Sequence, residues 1–78
     1  MSAMENPELD VLRQQYRDAV ERWIAAIRKE EALSTVDHSV TAIDIWENAG
    51  FREEEARNQA KAAKKEYEDA LRRVNFRI

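Results

Sequence analysis

"AIDIWENAGFREEEARNQAKAAKKEYEDA", residues 42–70, places alanine at 42, 49, 56, 63 and 70, one every seventh residue. Trp46, Glu53, Ala60, Tyr67 and, just beyond, Val74 fall between them in alternating steps of four and three. That spacing gathers both sets on one side of an α-helix, a seam of mostly small side chains. Gly50 and Phe51 offer a possible break. Gly50 could take the left-handed position at a helix end, with Phe51 as its hydrophobic contact. The alanine period runs through them without a change of phase, however, and Arg52 is a poor N-cap for a new helix. The stretch therefore reads as one helix over about 37–74. A three-helix bundle broken at Gly50/Phe51 is the alternative.

Upstream, "NPEL" opens a first helix over about 7–33. Asn6 suits the N-cap, Pro7 the first helical position, and Glu8 and Asp10 the positive end of the helix dipole. Leu9, Leu12, Tyr16, Ala19, Trp23, Ala26, Glu30 and Leu33 then recur in steps of three and four, with Val20 and Ile27 widening the stripe. Between the helices, "STVDHSVT" is rich in β-branched and short polar residues, which form helix less readily. Ser34 and Asp37 are spaced like a capping box. Residues 1–6 and 75–78 are expected to fray, leaving one helical domain over 1–78.

Composition bounds what such a chain can be. Seventy-eight residues with 37% charged side chains, one Gly and one Pro fit long helices. A chain of this length buries only about 60% of its unfolded surface, so a solitary core is marginal. Chains of this size usually add a disulfide, a metal or a partner subunit. Cys is absent, which removes the disulfide and the thiolate metal site. No basic-then-apolar leader opens the sequence, and no apolar run approaches the ~20 residues that cross a bilayer. A soluble, cytoplasmic location is the expectation. The net charge of −3 is uneven, with residues 61–78 basic and the rest acidic. Basic groups near a helix C-terminus oppose the macrodipole.

Folding the helices back on each other about residues 34 and 35 would bring Trp23 opposite Trp46 as a core pair. It would also set Tyr16 level with Glu53 and Ala19 beside Gly50. The second helix is the longer, so everything after about residue 62 would project past its partner. That projection keeps an apolar stripe of Tyr67, Ala70, Leu71, Val74 and Phe76, and Val36, Val40 and Phe51 lie off the seam. These eight residues form the candidate interface. A second copy would cover them, making a homodimer that closes into a four-helix bundle.

Catalytic patterns are sparse. His38 is the single histidine, and neither His-x-x-x-His nor Glu-x-x-His occurs, so no metal set converges. Glu30 and Glu53, the seam carboxylates, fall too far apart in a hairpin for acid–base work. Gly-rich phosphate loops and dinucleotide fingerprints are missing. No catalytic residue, cofactor or metal is expected. Lys61, Lys64, Lys65, Arg72, Arg73 and Arg77 could contact nucleic acid, but acidic residues interrupt them.

"QYRDAVERW" at 15–23 and "EYEDALRRV" at 66–74 nearly repeat. They occupy the same heptad positions, which explains the likeness without a repeat architecture. The expectation is a non-enzymatic helical module for protein–protein association, with itself and with a further protein. Two alternatives are a nucleic-acid-associated regulator using the basic C-terminal end and a ligand- or metal-binding bundle.

Overall fold

A computed structural model describes residues 6–34 and 39–76. It is an antiparallel pair of helices, α1 (Pro7–Leu33) and α2 (Val40–Phe76), packed along their length. The molecule measures 59 × 23 × 12 Å, two helices wide and one helix thick. Its radius of gyration is 17.8 Å, where a compact chain of this length would give about 12 Å.

The N-terminus of α1 forms as its residues dictate. Asn6 is extended, and its side-chain oxygen accepts from the backbone N–H groups of Glu8 and Leu9 at 3.0 and 3.3 Å. Pro7, which has no N–H to satisfy, occupies the first helical position. Ser34 closes α1 with its hydroxyl donating to the Glu31 carbonyl at 2.6 Å. α2 starts at Val40, later than the expected 37, because Ser39 supplies the cap. Its hydroxyl accepts from the Ala42 N–H at 3.2 Å, and its carbonyl accepts from Ile43. Residues 35–38, including Val36, Asp37 and His38, lie outside the described residues. At the far end Asn75 and Phe76, expected to fray, are helical, and Asn75 donates its amide to the Leu71 carbonyl.

α2 runs unbroken through Gly50 and Phe51, so the three-helix alternative does not hold. Gly50 has an ordinary helical backbone rather than the left-handed one of a cap. A Cβ added there would lie 3.0 Å from Oε2 of Glu30 on α1, so the missing side chain leaves room for a carboxylate crossing the seam.

The expected faces meet, but in a different register. Trp23 donates its indole N–H to Glu53, not Tyr16, at 3.1 Å. Glu30 lies over Gly50, and Glu8 meets Arg73 at 3.4 Å. Relative to the expected hairpin, α2 has slid by one heptad at Trp23. The slide leaves the same alanine side inward and removes the clash of two indoles facing each other across a close seam. Trp23 and Trp46 therefore lie about 10 Å apart along the axis and are not a stacked core pair.

The open end is consequently matched: Arg73 of α2 reaches Glu8 in the first turn of α1. The unmatched length lies at the bend. Leu33, the last residue of α1, is level with Ile45 and Ala49, and α2 from Val40 to Asp44 stands beyond it.

Candidate functional site

The seam of this hairpin is thin. Ala19, Ala49, Ala60 and Ala70 are the fully buried residues among those described, and no larger side chain is enclosed. Alanines seven apart bring two helices close, but each contributes one methyl group of apolar surface. Ala70, expected at an interface with another copy, is 1% exposed within the single chain, so α1 already covers it. Tyr67 and Leu71 are half-buried beside it.

Exposed apolar side chains gather elsewhere. Val40, Phe51, Ile45, Trp46, Ile24, Ile43 and Ile27 all lie in the half of the hairpin nearer the bend, with exposures from 39% to 75%. Val11 and Val74 are their counterparts near the open end. Sequence reasoning had placed Val40 and Phe51 among the candidate interface residues. It missed Ile24, Ile43 and Ile45, which stand one step off seam positions in either register, and the exposure of Trp46, which lies level with the end of α1. Phe76 closes α2, and Val36 lies outside the described residues.

The helical period sorts these residues onto the two broad faces. Each residue directly following a seam position is turned about 100° from it, and in an antiparallel pair both helices turn those residues to the same side. On that side α1 presents Arg13, Arg17, Val20, Ile24, Ile27 and Glu31, and α2 presents Ile43, Glu47, Gly50, Glu54, Arg57, Lys61, Lys64, Glu68 and Leu71. Residues directly preceding seam positions form the opposite face: Arg22 and Lys29 from α1, and Arg52, Glu66 and Arg73 from α2. Two open depressions lie there. One, of about 200 Å³, is lined by Lys29, Leu33, Ile45 and Arg52 among others. The second is lined by Glu8, Leu12, Glu66, Asp69 and Arg73. Both broad faces mix charged and apolar residues: the first sets Ile24, Ile27 and Ile43 among Glu31, Glu47 and Glu54, and the second sets Val11 and Ile45 among arginines, lysines and acids.

Four basic side chains of the C-terminal segment are ion-paired. Lys64 pairs with Glu68, Lys65 with Asp69, Arg72 with both acids, and Arg73 with Glu8 across the helices. The hydrogen bond from Lys65 holds the Asp69 carboxyl below its ordinary range, with Arg72 and Arg73 adding to the effect. Arg73 reaches Glu8 rather than Asp69 four residues before it, and Glu53 accepts from Trp23. Arg57 keeps a buried Nε with no acceptor.

No cluster of three or more potential metal ligands occurs among the described residues, and neither described helix is long and apolar enough to cross a membrane. Comparison with protein-family models, curated proteins and solved structures returns no match.

The surface area ties these features together. The chain exposes 6477 Å², whereas a compact monomer of its 9.2 kDa mass would expose about 4,900 Å². The excess reflects the elongated shape, two helices wide and one helix thick.

Proposed function

We propose that this chain is a non-enzymatic association module, a helical hairpin that completes its core by pairing with a second copy of itself. The observation that carries this reading is the mismatch between a seam of four buried alanines and the isoleucines, valines and aromatics left exposed around the bend. An ordering cost of about 1–2 kcal/mol per residue has to be met by burial, and an alanine seam alone supplies little of it. Pairing would bury the larger side chains and form a four-helix bundle. A dimer of this kind presents charged outer surfaces, which suit an adaptor role toward a further protein. The paired lysines and arginines of the C-terminal segment have acidic partners already, which weighs against a role in neutralising phosphates.

Thermal unfolding followed by circular dichroism tests the reading. If folding and pairing are coupled, the melting midpoint rises with chain concentration between ~1 and ~200 µM. A cooperative transition whose midpoint is the same across that range contradicts it.

A further inference from the structure

We propose that the depression of about 200 Å³ between α1 and α2 near the bend docks an acidic segment of another protein, one that inserts an aliphatic side chain between flanking carboxylates. This rests on the adaptor part of the reading above, gives it a partner of stated chemistry, and does not depend on the pairing. The depression lies on the opposite broad face from Ile24, Ile27 and Ile43, so a copy packed against those isoleucines leaves it open.

Leu33, Ile45 and Ala49 give the depression an apolar floor, Lys29 of α1 and Arg52 of α2 stand on its two sides, and Asn48 adds an amide. No carboxylate is among these residues. The two cations have no structural task within the hairpin. Three and four residues from Lys29 stand Ala25, Ala26, Ala32 and Leu33, so its own helix offers it no acid. Arg52 has Asn48, Ala49, Glu55 and Ala56 at those distances, and forms no ion pair with Glu55. Neither cation has an ion-pair or side-chain hydrogen-bond partner among the described residues. Helix ends do not claim them either. Lys29 precedes the last turn of α1, which holds no basic residue, and Arg52 is well inside α2.

The surroundings carry the same sign. On the bend half of this face the charged residues are Arg22, Lys29 and Arg52, against the single carboxylate of Glu55. Asp18, one turn from Arg22 toward the open end, accepts from Gln14 instead. The other positions there hold Ala25, Ala32, Thr41, Ile45 and Asn48. A locally positive surface on a chain of net charge −3 is complementary to an acidic partner and repels a basic one. The volume is below the ~300–1,000 Å³ of small-molecule sites and suits one anchoring side chain. No aromatic ring lines the depression for a base to stack on, and few cations stand ready to neutralise phosphates. A protein segment is therefore favoured over nucleic acid.

Titration of the isotope-labelled full chain with synthetic probes, followed through backbone amide signals, tests the site. The probe is a capped peptide with one leucine between two pairs of glutamates. Companion peptides replace the leucine by alanine or the glutamates by glutamine, and oligothymidylate supplies phosphates. The first peptide should move the signals of Lys29, Leu33, Ile45, Asn48 and Arg52 at ~0.1–1 mM, and each companion peptide should bind about 10-fold or more weakly. Lys29→Glu and Arg52→Glu should each weaken binding by about 10-fold or more, whereas Lys65→Glu, the same reversal at the open end, should not. Lys29 and Arg52 are both exposed, so the variants keep the fold, and Arg52→Gln should give a smaller loss without reversing the charge. The site is overturned if these signals stay fixed up to millimolar peptide, or if the alanine peptide binds as well. Charge reversals without effect, or stronger shifts of the same signals by oligothymidylate, also overturn it. The mass of the parent chain at the same concentrations reads self-association separately. A dimer that leaves the peptide unbound overturns this site alone, and a monomer that binds it overturns the pairing alone.

Discussion

Replacing Gly50 by Ala tests the description of the seam most finely. Gly50 lies inside α2 with helical backbone angles, so alanine removes a conformational penalty of about 0.8–1.0 kcal/mol. Against this stands one close approach, 3.0 Å from the new methyl group to Glu30 Oε2. That oxygen is the far end of a flexible, half-buried side chain, and a shift of a few tenths of an ångström relieves the contact at a cost of a fraction of a kcal/mol. The net expectation is a stabilisation of about 0.5–1 kcal/mol, or roughly 2–8 °C in melting temperature for a chain of this size. Thermal and urea unfolding at one fixed chain concentration measure it. In a Glu30→Ala background the same substitution should gain the whole propensity term. Destabilisation by more than about 1 kcal/mol in both backgrounds would refute the argument. It would mean that the α1 backbone itself approaches Gly50, not just one carboxylate.

Other expectations follow from particular contacts. Trp23→Phe keeps the bulk of the ring but removes the indole donor to Glu53, and should cost about 1–2 kcal/mol in urea unfolding. Ala60→Leu forces three extra carbons into the seam at a residue 3% exposed, and should cost about 1–3 kcal/mol, whereas the same change at the exposed Ala25 should be near neutral. Asp69 should titrate below 3.8 when its carboxyl is followed by NMR, because Lys65 and the neighbouring arginines favour its charged form. Since the folded-state pKa is the lowered one, its contribution to stability is present above the ordinary carboxylate range and is lost as pH falls through the folded value. A midpoint at or above 3.8 would show that these ion pairs do not persist in solution.

The sides of the helices that meet were legible from sequence, and the level at which they meet was not. Leu9, Leu12, Tyr16, Ala19, Trp23 and the alanine series are the buried or half-buried residues for the reason first given, their recurrence in steps of three and four. Sliding α2 by seven residues preserves that recurrence, so periodicity alone cannot tell Trp23 opposite Trp46 from Trp23 opposite Glu53. What discriminates is volume and polarity: two indoles crowd a close seam, while one indole beside a carboxylate gains a hydrogen bond. The candidate surface inherited the same gap. Val40 and Phe51 stood out because they break the period; Ile24, Ile43 and Ile45 flank the seam in any heptad register, and it is the exposure of Trp46, level with the end of α1, that required the register. The start of α2 was misplaced for a local reason, since Ser39 caps the helix without the acidic residue three positions later that would have signalled it.

Molecular mass in solution tests the central claim most directly, measured by light scattering at micromolar concentration on the unmodified chain. Self-association predicts twice the 9.2 kDa of one chain, falling toward the single-chain value on dilution together with loss of helical signal. A mass of 9.2 kDa for a chain that remains helical and unfolds cooperatively would contradict it.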